Sequence, residues 1–322
     1  MISGHLDTVF TLVTPLSHIG QSLGPDSFLD TQDIIGPDGL PVEVFVYHGN
    51  AWRGALRDAG GQYLLNALGG NDQLRIPLQL FYLLFSGGSI GGDQKLDIVN
   101  ARKLREALPI LSVFGGAIGH QMLPGKVSVS DGYPFAAETR HFLPEQYQGE
   151  PMVSWRRLTT ERSHSRMDDA KNDALRPYLV DALALDAGAR EDAKKGNKDK
   201  PQQMRYTTEV LVAGAKLWQR SDLRDVSPVE LGALTSAIVQ WSTHPYLGGQ
   251  NRVGFGRMRM ETSWHAIGVE PVPFLSLSEE GIHLADPAAH AKAAYDDYLT
   301  QYQAYLAENR EGLVKILGPS IA

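Results

Sequence analysis

Apolar and β-branched residues crowd His5–Pro15 (HLDTVFTLVTP), which predicts a strand ended by Pro15. Gly20–Gly39 is dense in Gly, Pro, Asp and Ser and reads as a long loop. Val42–Tyr47 reads as a short strand, and Asn50 as the N-cap of a helix over Ala51–Leu68. Trp52, Leu56, Ala59, Tyr63 and Leu64 recur there at helical spacing, with Gly60–Gly61 as a predicted weak point. Ile76–Leu84 and Asn100–Leu111 read as two further helical or mixed segments, divided by the glycine-rich SGGSIGGD. Gly125–Val129 is a strand candidate.

From Trp155 to Met204 apolar residues thin out, and AREDAKKGNKDKPQQ has the composition of a mobile segment. Apolar patterning returns in Tyr206–Leu217, a predicted strand. Val229–Trp241 follows as a predicted helix, with Ser227 as N-cap and Pro228 at its start. The glycine-rich LGGQNRVGFGRM then leads into a strand predicted over Phe255–Trp264. A last helix spans roughly Pro287–Glu308, with Tyr295, Tyr298, Leu299, Tyr302, Tyr305 and Leu306 on one stripe. Strand, connection and helix therefore occur twice: His5–Pro15 with Ala51–Leu68, and Tyr206–Leu217 with Val229–Trp241. This duplicated order fits an α+β chain with a ferredoxin-like sheet, a scaffold that can bind RNA across one face.

Composition narrows this picture little. The 322 residues are 43% hydrophobic and 21% charged, which suits a globular chain. The most apolar stretch, Ile76–Phe85, falls well short of the roughly 20 residues a membrane span needs. The N-terminus lacks the basic start of a signal peptide, and there are no cysteines, so a cytoplasmic location is expected. The net charge of −7 opposes a uniformly basic nucleic-acid binder. Its distribution weakens that objection. Residues 270–311 hold eight acids against Lys292 and Arg310, whereas Trp155–Arg176 holds six basic and four acidic residues. One face can thus attract phosphates while the far end repels them.

Three segments carry candidate chemistry. In HGNAWRGALRDA (His48–Ala59), a glycine and Asn50 at a helix start offer free amides to phosphate oxygens. Arg53 and Arg57, four residues apart, share one helix face. An ordinary amphipathic helix accounts for the same pattern. In Leu247–Met258, glycines allow close approach, Arg252 and Arg257 supply charge and Phe255 a stacking face. That loop follows a helix and opens a strand, the reverse of a dinucleotide-binding motif, and a glycine-rich connection at a sheet edge explains it equally well. The third segment, 155–205, joins Trp155 to Arg156, Arg157, Arg162, Arg166 and Lys171, a set suited to single-stranded nucleic acid or simply to a solvated insertion.

Catalytic patterns are weaker. His48, His120, His141 and His164 lack zinc-site spacing, and Ser163-His164-Ser165 has no positioned partner, so neither a metal nor a cofactor is expected. Asp26, Asp30 and Asp33 in the first loop could bind a divalent cation, although loop aspartates more often form turns.

Taken in order, PLSHIG (Pro15–Gly20), HGNAWRGALRDA, RYTTEVLVAGAKL (Arg205–Leu217), VELGALTSAIVQW and GGQNRVGFGRM resemble the backbone subunits of type III and type IV CRISPR effectors, the RAMP superfamily. Leu108–Asp131 resembles the type IV members most. The resemblance spans most of residues 5–264. It implies a ferredoxin-like palm (about 1–68 and 205–264), a fingers insertion (about 69–135), a thumb (about 150–205) and a C-terminal helical region (about 270–322). It also implies copies stacked head-to-tail along a guide RNA (crRNA), alongside other effector subunits, with a paired target expected to be DNA. His48, Asn50, Arg53 and Arg57 match the helix start. Gly249, Asn251, Arg252, Gly254 and Gly256 match the glycine loop. Asp30 is the nearest match to the acid with which type III relatives cut target RNA, so a metal-dependent endoribonuclease stands beside the non-catalytic reading. A metabolic enzyme holding a phosphorylated small molecule in the glycine loop is a third reading.

Overall fold

The first strand, β1 (Ile2–Leu12), forms the middle of the main sheet, with β2 (Lys216–Val226) on one side and β3 (Met258–Ala266) on the other, both antiparallel to it. The computed structural model describes residues 1–70, 76, 78–90, 98–119, 121–165, 178, 205–266 and 268–308. Beyond β2 lie Val127–Val129 and Tyr133–Pro134; beyond β3 lie β4 (Val272–Ser278) and β5 (Gly281–Leu284). Helix α1 (Gly49–Ala67) lies in the chain between β1 and the 127–134 strands. Helix α2 (Pro228–Ser242) connects β2 to β3. Two βαβ crossovers thus interleave in one antiparallel sheet, the connectivity required by the ferredoxin-like expectation. The chain is α+β.

Alternation along β1 assigns its faces. Leu6, Phe10 and Leu12 are buried against the helices, and Asp7 and Val9 point to the other side. Phe10 meets Trp52 of α1 edge-on at 5.2 Å, and Trp52 meets Trp241 of α2 at 4.8 Å. Each such buried side chain contributes about 1.5–3 kcal/mol. On the opposite face Val9 and Trp218 pack against Phe135 and Leu143.

The predicted weak point in α1 is instead a packing device, and the helix runs through it. A Cβ on Gly60 would lie 2.5 Å from Ile110 Cδ1, and one on Gly61 would lie 3.1 Å from the Phe85 ring. Ser227 caps α2 as predicted, within a reciprocal capping box with Glu230. The C-terminal helix, α3 (Asp286–Glu308), seats Tyr295 and Leu299 in the core. It crosses α2 where Gly232 leaves room; a Cβ there would be 2.0 Å from the Ala291 carbonyl. The side chains of Tyr305 and Leu306 lie outside the described residues.

Several boundaries differ from expectation. Gly20–Gly39 is largely strand: Ile19–Leu23 pairs with Asp26–Leu29, and Thr31–Ile35 with Pro41–Phe45. Gly24 and the Gly36–Gly39 turn mark the hairpin tips, and the Gly36 amide donates to the Leu40 carbonyl at 2.8 Å. Tyr206–Leu217 is two strands separated by a turn at Gly214 (φ 87°), and the first, Arg205–Leu211, leaves the main sheet. Pro109 divides Asn100–Leu111 into Ile98–Ala107 and Pro109–Phe114. The strand predicted from Phe255 begins at Met258. Val127–Val129 and Tyr133–Pro134 join the main sheet, which therefore reaches into the span expected for the fingers. Among the described residues no helix is long and apolar enough to cross a membrane.

Candidate nucleic-acid interface

The chain turns from Pro41–Phe45 into α1 through Tyr47 and His48. His48, not Asn50, occupies the N-cap position, and its side chain caps nothing. The first amides find partners elsewhere: His48 N–H donates to His18 Nε2 (3.3 Å), and Gly49 N–H to Asp131 Oδ1 (2.8 Å). The expectation that these amides are free for phosphate therefore fails, because distant side chains already fill the helix start. Asn50 is exposed in the first turn. The His48 ring sits between two carboxylates, with Nε2 2.9 Å from Asp30 and Nδ1 3.5 Å from Asp131. His18 packs on the Tyr47 and His48 rings, and burial holds it below its usual range while Asp30 opposes this in part.

The glycine loop docks against this same corner. Gly249 N–H donates to the Ser17 carbonyl and Gly256 N–H to the Pro15 carbonyl, both at 2.7 Å. The Tyr47 hydroxyl is hydrogen-bonded to the Gly248 backbone, and burial pushes that phenol up to about 12. Between these anchors Asn251–Val253 form one 3₁₀ turn flanked by left-handed Gln250 and Gly254. The turn faces outward: Asn251, Arg252 and Val253 are exposed, as is Arg257, and Phe255 is half-buried. Arg252 makes no ion pair among the described residues. The glycine loop and the start of α1 thus meet, through the 15–18 segment and Tyr47.

Arg53 and Arg57 do share a helix face, but that face packs against protein. Both donate to the Phe114 carbonyl, and Arg57 also to Gly115 at 2.9 Å, covering the C-terminal end of Pro109–Phe114. Burial, with Arg53 beside it, lowers Arg57 to about 10. Their expected role on phosphate is corrected accordingly: these guanidinium groups brace a helix end.

Trp155 is likewise corrected. Its ring is buried, and Nε1 donates to the Glu43 carbonyl at 2.7 Å, so no base can stack on it. Arg156 covers that ring at 4.2 Å and pairs with Glu43. Arg157 and Arg162 are exposed. Arg162 stands opposite Thr208 where Thr159–Ser165 pairs with Arg205–Leu211, and Thr208 in turn accepts from Gln250 of the glycine loop at 3.3 Å. Cross-strand partners share a sheet side, so Arg162 belongs with the glycine loop. Arg166 and Lys171 lie outside the described residues.

His18, Asp131, Gln250 and Thr208 escaped sequence reasoning because nothing local marks them; only tertiary pairing does. His18, Asp30 and His48 each bring one ligand atom within 4.8 Å of the others, a set suited to a divalent transition ion. Of the three first-loop aspartates only Asp30 joins it. Asp26 and Asp33 lie on strands.

A family model described as the RAMP superfamily matches residues 9–259. No curated protein matches the sequence. Among solved structures, a chain of a "Type IV-B CRISPR Complex" superposes with a TM-score of 0.56 at 21% identity, covering 83% of this chain and 92% of that one. At that identity the likeness concerns the fold.

Proposed function

Because the chain belongs to the RAMP superfamily, we propose that it is a non-catalytic backbone subunit of a type IV CRISPR effector, binding guide RNA and repeating head-to-tail along it. The observation that supports this reading is the outward-facing Asn251–Val253 turn, rigidly seated on the Pro15–His18 segment beside the start of α1. Exposed Asn50, Asn251, Arg252 and Arg257 there, with Arg162 linked to the loop through Thr208 and exposed Arg157 earlier in the same basic segment, offer donors to a sugar–phosphate path. His48, Gly249, Gly254 and Phe255 shape its floor. Phosphate contacts of this kind fix position without reading sequence, which leaves base edges free for pairing with a target.

In this reading the helices and main sheet form the palm, residues near 69–126 the fingers, and the excursion rooted at Thr159–Ser165 and Arg205–Leu211 the thumb. A head-to-tail interface gives an open array whose length the RNA sets. The protein purified from its native operon context should elute at high mass with RNA of uniform length. On isolated single strands, log affinity should fall against log salt with a slope of about 0.7 per phosphate contacted. Binding that is flat with ionic strength, or a monomer free of RNA, would sink the reading.

The cluster of Asp30 with His18 and His48 favours a second reading, metal-dependent cleavage of the paired RNA. Guide-loaded protein with Mn²⁺, Co²⁺ or Zn²⁺ and a complementary RNA tests it. Cleavage by the wild type that Asp30→Ala abolishes would establish the enzyme; intact target in both would leave the scaffold.

A further inference from the structure

On the sheet face away from the helices, three strands bring five polar side chains together. His5 stands opposite His265, and Asp7 is opposite Ser263 on β3 and Arg220 on β2. The two imidazoles stack with centroids 4.6 Å apart. Both direct Nε2 at the same carboxylate oxygen: Asp7 Oδ2 is 3.6 Å from His5 and 3.4 Å from His265. These separations are longer than good N–H···O bonds, which run to about 3.2 Å. They equal the edge of a tetrahedron around an ion with ligand bonds of about 2.0–2.2 Å, roughly 3.3–3.6 Å.

We propose that His5, Asp7 and His265 form a binding site for a divalent ion of the zinc class, which clips β1 to β3. Arg220 supplies the outer support such sites use. Its Nε holds Asp7 Oδ1 at 2.9 Å, leaving Oδ2 to the ion once Nη2, now 3.2 Å from it, moves aside. The Trp218 ring, 5.4 Å from the guanidinium carbon, provides a resting surface for that shift. Ser263, whose hydroxyl is 2.9 Å from His265 Nε2, gives up that contact when the ring nitrogen coordinates. Asp7, whose side chain is only 1% exposed, lines an open cavity with Gln146, Glu261 and His283, and the His5 ring beside it is 26% exposed. Two imidazoles and one carboxylate leave a fourth position for water, a donor set that takes Zn²⁺, Co²⁺ or Ni²⁺ in preference to Mg²⁺.

Co²⁺ alone, added to EDTA-treated full-length protein, provides the readout through the intensity of its visible absorption, which distinguishes four- or five-coordinate from six-coordinate ions. We expect an intense band, bleached by Zn²⁺, that corresponds to one ion per chain in His48→Gln, where the His18–Asp30–His48 set is disabled. His5→Gln and His265→Gln should weaken binding by about tenfold or more. His5 is 26% exposed and its replacement leaves the Asp7–Arg220 pair intact, so this variant is decisive should His265→Gln fold poorly. Absence of the band in the wild type, or a band that survives in His5→Gln and disappears in His48→Gln, would overturn the assignment.

Discussion

The docking of the glycine loop can be tested by contrasting two of its glycines. Gly254 and Gly256 have nearly the same left-handed backbone, φ 87° and 83°. Their surroundings differ: a Cβ on Gly254 meets nothing within 4 Å, and one on Gly256 would lie 1.9 Å from the Leu247 carbonyl oxygen. Gly254→Ala therefore carries only the left-handed cost, about 1–2 kcal/mol. Gly256→Ala adds a backbone displacement that breaks two hydrogen bonds, Gly256 N–H to Pro15 and Leu247 N–H to the Gly256 carbonyl. At about 0.5–1.5 kcal/mol each, these bring the total to about 2–5 kcal/mol. Urea unfolding should separate the two variants by about 1–3 kcal/mol. Anisotropy of a labelled single-stranded RNA at fixed salt should show the larger affinity loss for Gly256→Ala, since only the seated loop presents Arg252 correctly. Equal losses of stability and affinity would refute the idea that contact with Leu247 and Pro15 holds the loop.

Arg252→Ala should leave the urea midpoint unchanged and reduce the salt slope of single-strand binding by about 0.7, measured by filter binding across salt. Arg57→Ala should do the reverse, costing about 2–4 kcal/mol in urea unfolding by uncovering the Gly115 carbonyl and leaving that of Phe114 to Arg53 alone, while the salt slope holds. Burial holds both His5 and His18 below the unfolded value of 6.5, so below that pH the unfolded chain takes up protons first. Stability should accordingly fall as pH drops through about 6.5 and level off once the folded-state values are passed. Urea midpoints between about pH 8 and 5 should show a shallower decline in His18→Gln than in the wild type.

Much of the fold was legible because local and global signals agree. Ser227-Pro228 marks the start of α2, and the β-branched and apolar residues of His5–Pro15 mark the first strand. Val42–Tyr47 was legible as a strand, but the three strands within 19–35 were missed since they are short and mostly exposed, so turn chemistry outweighed period-two patterning. The site was legible in part. The glycine loop and the start of α1 do meet, yet sequence cannot say what an arginine faces. Arg53 and Arg57 share the predicted side of α1, and that side covers the end of Pro109–Phe114 rather than solvent. Trp155 beside two arginines looked like a stacking platform, but its ring is anchored through the Glu43 carbonyl. The pairing of His48 with Asp30 and Asp131 joins three separate segments, and no local spacing announces it.

The rungs between Thr159–Ser165 and Arg205–Leu211 end with Ser165 facing Arg205, and Arg205–Leu211 is itself laid alongside Asp26–Leu29. Whatever the chain does between those two residues, it departs and returns through one doorway whose frame belongs to the main body. The ladder that frames Ser165 and Arg205 thus holds its own register through seven rungs, and a change in the number of residues between those two positions would leave its pairing, and the strand laid alongside it, unaltered.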